Sequence, residues 1–573
     1  MHRPIVALAS FLAVAPAAWG AAGAALNVEP APANPDSEVP AQLARTPTGA
    51  SGEAGADAND SARPGAQATP KQVGAGASAV SPPDAGVAWA GQAAAEPPPV
   101  EKQKDELEGR IGAALRASAQ ATSPFAVDSL GTSVRPNPIE TRLRIGPEVR
   151  FGPFGLLADI ETSTGAVSGL PPSELVGERT AHPSLEAVNL REAYLEYRAK
   201  TWVVRAGQQA SSWGLGLVAN PGTHDFAPGE GFGDVRYGDS SYRALLAGRP
   251  LYGLGGAWRA IEPAVAADMV VKDDTADYWN AGDRALQGVV AVRFKVDDDR
   301  HVGVYTVVRH QRSAHPEDTR GTDAFVVDLA GKWQWKRSDD QVLRAGVELV
   351  SISGTSSMAQ SETAPVQQIR QFGAALKLAM RAFRLEYYVD AGYASGDQNP
   401  YDDKLEGFRF DPDYHVGLIL FDEVLGYQSA RSSVRGSNPA LVGVPPSGVD
   451  LLPTRGSVSG AAYLFPRLRY ALAEWADVYG GPLVALSTAR LTDPYSTRVA
   501  GGGSLNALGG RPGGFLGAEL DVGAQARFKP HPAMVVSATL EAGLLLPGSA
   551  FANEAGGILG PVMVGRARLG VSL

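Results

Sequence analysis

Beyond residue 100 the chain alternates between apolar and polar residues, and this alternation predicts β-strands. In the segment 518–528, Leu520, Val522 and Ala524 alternate with Glu519 and Asp521. The segments 323–335 and 383–394 alternate in the same way. Each such strand presents one apolar face and one charged face. A soluble sandwich would bury the apolar face against a second sheet, whereas a membrane barrel would turn it to lipid.

Three features favour a transmembrane barrel. The alternating segments run roughly 9 to 14 residues, which is long enough to cross a bilayer at a tilt. Short connections alternate with long ones, as periplasmic turns alternate with extracellular loops. Aromatic residues lie beside the short turns, where an interfacial belt is expected: Phe151, Trp202, Phe294, Trp333, Trp335, Phe383 and Phe528. We therefore predict an all-β fold, a transmembrane antiparallel β-barrel.

The alternating segments also give a strand count. They centre on 139–151, 156–163, 190–199, 202–210, 242–257, 264–273, 284–296, 301–311, 323–335, 342–353, 367–380, 383–394, 459–471, 475–488, 514–528, 533–546 and 558–573. A closed barrel needs one more strand before 139, and residues 107–117 alternate suitably. A short charged helix is the alternative for residues 101–117. The prediction is about eighteen strands, the size of an aqueous channel.

The first hundred residues carry different signals. Residues 1–24 have the positive start, apolar centre and small-residue cleavage site of a signal peptide, with an anchor helix as the alternative. Residues 25–104 are rich in Pro, Ala and Gly, which predicts a disordered periplasmic tether. The tether is either a spacer or a docking segment for a periplasmic partner. The barrel domain is expected to span 105–573.

Composition excludes several classes of protein. The chain has 573 residues, of which 67 are Gly, 42 are Pro and none is Cys, so disulfides, thiolate metal sites and thiol catalysis are excluded. No apolar run of about 20 residues follows the N-terminus, which argues against a helical membrane protein. A net charge of -10 and a pI of about 5.4 argue against nucleic-acid binding.

The charged strand faces are expected to line the lumen, where arginines outnumber acids. One interpretation is a set of cross-strand ion pairs that orders a polar wall. The other, compatible with the first, is an anion-preferring path along unpaired guanidinium groups. The pore-lining candidates are Arg142, Arg144, Arg198, Arg205, Arg293, Arg344, Arg384, Arg467, Arg469, Arg527, Arg566, Arg568, Glu192, Glu196, Glu386, Asp390, Glu519 and Asp521.

The predicted loops hold much of the negative charge. Asp397, Asp402, Asp403, Asp411 and Asp413 all fall in the longest loop, 394–458. They form a solvated surface or, as the alternative, ligands for calcium, although no loop has the residue order of a calcium-binding loop. This loop is too long for a simple connection and contains the apolar segment 416–421. We expect it to fold inward as a constriction or gate.

Catalytic motifs are not found. The sequence has no phosphate-binding loop, no His-Glu-x-x-His helix and no Gly-x-Ser-x-Gly turn, and its eight His are scattered. We therefore expect no enzyme activity, no metal and no cofactor.

The hairpin at 190–198, followed by 205–209 and Trp213-Gly214, resembles that of alginate-export-type barrels and related porins. The segment 393–397 is similar to the same group. The resemblance covers 105–573 and implies a bacterial outer-membrane channel. Such a channel would be an anion-preferring porin or an exit duct for an anionic polysaccharide, and the alternative is a structural anchor. The expected partners are outer-membrane lipid and lipopolysaccharide, a hydrophilic or anionic solute or glycan, and a periplasmic export partner.

Overall fold

The computed structural model describes residues 107–177, 185–222, 230–233, 238–313, 320–338, 340–358, 364–400 and 402–573. The predicted signal peptide and tether lie outside these residues. Within them, the chain forms a barrel wall and a set of connecting segments, two of which occupy the interior.

The wall is a single antiparallel sheet of eighteen long strands. In chain order these are β1 Leu107–Thr122, β2 Ile139–Phe151, β3 Phe154–Ser168, β4 Glu186–Arg198, β5 Trp202–Gln209, β6 Ser240–Gly248, β7 Ile261–Lys272, β8 Arg284–Asp297, β9 Arg300–Arg312, β10 Gly321–Ser338, β11 Gln341–Ser356, β12 Gln367–Ala382, β13 Leu385–Ala394, β14 Ala461–Ala473, β15 Ala476–Ser487, β16 Phe515–His531, β17 Met534–Pro547 and β18 Val562–Ser572. Every strand predicted from the alternation is present, so the predicted fold class is confirmed.

The sheet closes through its first strand. Leu115 of β1 lies opposite Val571 of β18 on one side and opposite Leu143 of β2 on the other. Both pairings are antiparallel and extend over most of β1. The helical alternative for residues 101–117 is therefore wrong for the part of that segment that the structure describes.

The strands alternate between an outer and an inner face. On β16 the Leu520 side chain is 52% exposed, whereas its neighbour Glu519 is 2% exposed. Leu329 and Phe325 of β10 are exposed in the same way, while Asp328 between them is buried. The outer surface is thus apolar and the inner face polar, as the sequence predicts for a barrel in lipid.

The connections differ at the two ends of the barrel. Those that follow odd-numbered strands are long, and those that follow even-numbered strands are mostly turns of two or three residues. The short turns mark the periplasmic end. Exposed aromatic side chains surround that end: Phe151, Phe154, Trp202, Phe294, Trp335, Phe383, Trp475 and Phe528.

Two predicted boundaries are wrong. The predicted strand 242–257 ends at Gly248, and the short 3-10 helices Tyr252–Leu254 and Gly256–Ala260 follow it. The turn predicted at residues 381–382 lies at Phe383 and Arg384, where Phe383 adopts a φ of 58°. A non-glycine residue in that region is uncommon, which explains why the sequence did not indicate it.

Two of the long connections fold into the barrel. Insert A is the described part of the connection between β5 and β6, residues 210–222, 230–233 and 238–239. Insert B is the described part of the connection between β13 and β14, residues 395–400 and 402–460. It contains the π-helix Leu420–Leu425 and the helices α2 Gly426–Gly436 and α3 Pro439–Val442; α1 Ser173–Val176 and α4 Pro494–Val499 lie in other connections. Phe408, Phe410 and Phe421 of insert B are completely buried.

The outer surface identifies the environment of the protein. A closed barrel with an even number of strands, an apolar outer belt and aromatic residues beside short turns is the architecture of bacterial outer-membrane proteins. The described chain is accordingly an outer-membrane β-barrel. None of its described helices is long and apolar enough to cross a membrane.

Candidate functional site

Insert B is attached to the inner wall by a carboxylate. Glu519 of β16 accepts hydrogen bonds from the backbone nitrogens of Leu418 at 2.6 Å, Ile419 at 2.9 Å and Leu420 at 2.8 Å. Leu420 is the first residue of the π-helix and Leu418 and Ile419 directly precede it, so these amides have few partners within the insert. The apolar segment 416–421 therefore lies inside the barrel, as the sequence predicts.

Insert A is attached in the same way to another part of the wall. Glu348 of β11 accepts hydrogen bonds from the backbone nitrogens of Leu215 and Leu217, the latter at 3.1 Å. The indole nitrogen of Trp213 donates to Asp328 Oδ1 of β10 at 3.1 Å. Both wall carboxylates are completely buried beneath the insert.

The second part of insert A is held by charged side chains. Glu541 of β17 accepts a hydrogen bond from the backbone nitrogen of Phe232 at 3.0 Å, and Arg566 donates to the Phe232 carbonyl at 2.9 Å. Glu230 Oε1 lies 2.8 Å from Lys377 Nζ and 3.0 Å from Arg467 Nη2. These two cations hold the pKa of Glu230 down at about 2, against the opposing effect of burial.

The two inserts also contact each other. The backbone nitrogen of Asp411 in insert B donates to the carbonyl of Leu217 in insert A at 2.8 Å. Deeper in the lumen, the hydroxyls of Tyr414 and Tyr463 donate to Asp390 Oδ1 at 3.1 and 2.7 Å. The inserts and the wall strands beneath them form one continuous packed core.

Most of the predicted pore-lining arginines have carboxylate partners. Arg142 and Arg144 of β2 pair with Glu161 and Asp159 of β3. Further along the wall, Arg469 Nη1 lies 3.0 Å from Glu386 Oε2 and its Nη2 lies 2.8 Å from Asp477 Oδ2. The other paired candidates are Arg198 and Arg205 with Glu196, Arg467 with Glu230 and Asp390, and Arg566 and Arg568 with Glu541.

The remaining candidates have different surroundings. Arg344 Nε donates to Gln334 Oε1 at 2.6 Å. Arg527 Nη2 donates to Gln525 Oε1 at 2.5 Å, and its Nη1 lies 3.9 Å from Asp477 Oδ2. The Arg293 guanidinium lies 5.5 Å from the centre of the Trp213 ring. Glu192 accepts a hydrogen bond from the backbone nitrogen of Ala210 at 2.9 Å, and Asp521 is completely buried next to Glu519 on β16.

The predicted position of Arg384 on the inner face is wrong. The alternation placed it on the inner face of a strand beginning at residue 383. It lies instead in the short turn between β12 and β13 and is exposed there. The strand begins two residues later than predicted because the backbone reverses at Phe383, where φ is positive.

Some inner-wall groups were missed by the sequence analysis. Arg243 of β6 forms a two-pronged ion pair with Asp268 of β7, with nitrogen–oxygen distances of 2.8 and 2.7 Å. Asp159 and Glu161, the partners of the β2 arginines, were also not identified. The alternation could have indicated them, because residues two apart along a strand share a face, and inward residues of adjacent strands lie side by side.

An acidic cluster lies where the two inserts meet the extracellular ends of the strands. Burial raises the pKa of Asp274 to about 6, and burial together with neighbouring aspartates raises the pKa of Asp239 and Asp411 well above the usual range. Burial opposes the ionisation of Asp273 too, but Arg309, with Nη1 2.5 Å from Asp273 Oδ2, holds the pKa of Asp273 below its usual value.

A metal site is not built in the part of the chain that the structure describes. No group of three or more His, Asp or Glu side chains there has an arrangement that would hold a metal ion.

A recess remains open between insert A and the wall formed by β4 to β9. It holds about 810 Å³ of empty space, including the part continuous with solvent. Its lining combines the aromatic rings of Tyr194, Trp213 and Tyr305 with Arg205 and with apolar wall residues. The inserts thus cover one part of the wall and leave another accessible.

No protein-family model matches the chain, and no curated protein matches it either. Solved structures of outer-membrane proteins are similar in fold. OprD from Pseudomonas aeruginosa is 11% identical, with 81% of this chain and 95% of that chain covered and a TM-score of 0.44. OccK8 (OprE) from Pseudomonas aeruginosa is 8% identical, with 81% and 98% covered and a TM-score of 0.44. OccAB1 from Acinetobacter baumannii is 9% identical, with 81% and 96% covered and a TM-score of 0.44. The alginate-export part of the predicted resemblance has no support among these structures.

Proposed function

We propose that the chain is an outer-membrane channel for small hydrophilic solutes. The observation that carries this proposal is the polar vestibule at the periplasmic end of the barrel. There the inward-facing Arg150 and Arg527 side chains remain 28% and 27% exposed, so water reaches them. Eighteen strands also enclose enough space for an aqueous path.

A modest anion preference is the finer form of this proposal. Several inner-wall carboxylates are shared by more than one arginine. Glu196 contacts Arg150, Arg198 and Arg205, and Glu148 adds only one further negative charge to that group. A cluster of three arginines and two glutamates keeps a net positive charge. Such a charge raises the local concentration of anions, most strongly at low salt.

The pairing also limits how strong this preference is. Arg142, Arg144 and Arg467 each face a carboxylate that neutralises them. We therefore expect weaker selectivity than the number of inward arginines alone implies. Export of an anionic polysaccharide would require a wider path, and the inserts occupy the extracellular part of the lumen, so we favour small solutes.

The test is a reversal-potential measurement on the purified barrel in a planar bilayer under a KCl gradient at low salt. The parent protein is expected to prefer anions. The double variant Arg198→Gln and Arg568→Gln should lose much of that preference, because it removes two positive charges from the lumen. It should still fold, because Glu196 keeps Arg205 as a partner and Glu541 keeps Arg566. Arg384→Gln, in the exposed turn, is the matched control and should change nothing.

Two outcomes would contradict the proposal. A cation-selective parent protein would show that the acidic side chains dominate the path and would contradict the proposed anion preference. A folded barrel with no conductance would remove the channel itself and leave the structural anchor as the better interpretation.

A further inference from the structure

The inner wall carries an apolar panel where a water-filled barrel normally has polar side chains. Leu245 of β6, Ala266 of β7 and Val289 of β8 lie directly opposite one another and form one row across three strands. A second row, Ala247, Ala264 and Ala291, lies beside it in the same register. All six side chains line the recess beneath insert A.

Charged rows bound the panel on both sides. Toward the extracellular end, Arg243 lies opposite Asp268. Toward the periplasmic end, Glu262 lies opposite Arg293. Polar residues thus resume immediately above and below the panel, so the apolar stretch is a local feature of the inner wall and not a general property of these strands.

Aromatic rings complete the recess. Tyr305 of β9 lies opposite Ala291 and extends the second row. Trp213 of insert A stacks on Tyr305 with a centroid distance of 5.4 Å and an interplanar angle of 25°. An apolar surface of this kind is covered most favourably by an apolar ring.

The guanidinium group of Arg205 lines this space and has hydrogen-bond donors that are not used by the described residues. Arg205 is 7% exposed, its Nε donates to Glu196 Oε2 at 2.7 Å, and its plane lies over the Tyr194 ring at 5.3 Å. Its two terminal nitrogens have no hydrogen-bond partner among the residues that the structure describes. A group buried to this degree normally satisfies its donors, so these nitrogens are suited to an oxygen of a bound molecule.

The cost of desolvation disfavours an ion as that molecule. Arg205 faces Glu196, and Arg243 faces Asp268. The Glu262 carboxylate is paired with Arg249 Nη2 at 2.6 Å and lies opposite Arg293, and Glu192 accepts a hydrogen bond from the Ala210 amide. Glu196 is also shared with Arg150 and Arg198, so the lining keeps some positive charge, but a charged solute must lose its water shell on entering and an uncharged solute need not.

We infer that this recess is a binding site for a small, uncharged solute that combines an apolar ring with an oxygen acceptor. The ring lies on the panel between β6 and β8, and the oxygen accepts from the terminal nitrogens of Arg205. The inference rests on the proposed channel function in one respect, since such a solute would be cargo that pauses in the lumen.

The test is equilibrium binding of benzyl alcohol to the purified, folded full-length protein in detergent, measured by calorimetry. The parent is expected to bind benzyl alcohol more tightly than benzoate, which has the same ring and a charge. Ala264→Asp, in the centre of the panel, should weaken binding at least about tenfold, because it places a charge where the ring lies. Arg205→Gln should weaken binding about threefold or more through the lost donors.

Controls separate a loss of binding from a loss of fold. Ala114→Asp makes the same change on the inner face of β1, outside the recess, and should bind like the parent. Leu245→Asn is nearly isosteric and provides a second panel variant if Ala264→Asp does not assemble. Folding of each variant is checked by heat-modifiable migration.

Two results would overturn the inference: unchanged benzyl alcohol binding in the folded panel variants, or tighter binding of benzoate than of benzyl alcohol by the parent. Conductance of the same preparation is measured separately. A barrel that binds benzyl alcohol but does not conduct would refute the channel and leave the binding site standing, whereas a conducting barrel without binding would do the reverse.

Discussion

Individual carboxylates on the inner wall have different kinds of partner. Glu196 contacts guanidinium groups and orders the polar wall of the vestibule. Glu519 instead accepts three backbone amides and holds an insert in place. Because a buried carboxylate without a partner is very unfavourable, each kind of partner is needed for the barrel to keep that residue. A glutamate therefore orders the side chains of the wall in one place and holds an insert in position in another.

On the outer face, a charge at Leu520 is expected to destabilise the barrel. Leu520→Arg places a guanidinium in the apolar belt and should lower the free energy of unfolding by about 2 to 4 kcal/mol. Phe528→Arg, beside the short turn, is the control and should cost about 0 to 1 kcal/mol, because the side chain reaches the interface. Denaturant unfolding in lipid vesicles measures both. Equal costs at the two positions would contradict the assignment of the belt.

In the acidic cluster, Asp274 makes the stability depend on pH. Its pKa is raised from 3.8 to about 6, so ionisation opposes folding: the penalty is absent below about pH 4 and complete above about pH 6. Asp274→Asn should therefore stabilise the protein by about 1 to 3 kcal/mol at pH 8 and leave it unchanged at pH 3.5. Unfolding at the two pH values checks this, and a gain of equal size at both would argue against the raised pKa.

Residue pairs within the wall could be predicted from the sequence, but contacts with the inserts could not. Arg144 and Asp159 lie on adjacent strands, where alternation and a short turn fix which side chains meet. Glu519 and Leu418 are separated by 101 residues, and no periodicity relates them. Trp213 was noticed only as part of a motif, since its stacking on Tyr305 depends on how insert A enters the barrel.

At the scale of elements, the eighteen strands were predictable because period two recurs over segments longer than those of globular sheets. The errors lie at the ends. The strand β6 stops at Gly248, before Pro250 and the glycines at 253, 255 and 256, and the chain turns there into short 3-10 helices. Insert B was predicted to fold inward from its length and its apolar segment, but its helices were not predicted.

The attachment of insert B gives a test at this scale. Glu519→Gln keeps the side-chain shape but replaces a carboxylate that accepts three amides by an amide with one acceptor oxygen. Opening of segment 416–421 should become easier by about 1 to 3 kcal/mol. Hydrogen exchange at Leu418, Ile419 and Leu420 measures this.

Glu348→Gln is the matched control for that experiment. It should increase exchange at Leu215 and Leu217 of insert A and leave the amides of insert B protected. If both variants increase exchange in both inserts equally, the inserts respond as one unit, and the separate attachment of each insert is wrong.

At the scale of the whole molecule, the closed wall and the inserts have separable roles. The wall closes by the pairing of β1 with β18 and leaves no exposed edge within the described sheet. Insert B forms no barrel strand; its only strand, Lys404–Leu405, pairs with the extracellular end of β12. The barrel therefore closes without the insert. The width of its lumen, in contrast, depends on the insert.

Removal of the inner part of insert B is expected to widen the path without unfolding the barrel. The backbone nitrogen of Phe410 donates to the Val458 carbonyl at 3.0 Å, so these residues lie side by side where the insert leaves the wall. Replacing residues 412–456 by a short Gly-Ser turn should preserve that pairing. The deletion exposes the wall carboxylate Glu519 to water, which solvates it and replaces the lost amide partners.

The deletion variant should migrate as a folded barrel before heating and show single-channel conductance at least about twofold above that of the parent, because a wider aqueous path carries more ions. The control shortens an extracellular connection that forms no part of either insert, residues 500–503, and should leave conductance unchanged. Unchanged conductance in the insert B deletion would mean that solutes pass elsewhere in the lumen and that insert B does not set the narrowest point. Loss of folded migration would instead show that the wall needs the packed core of the insert.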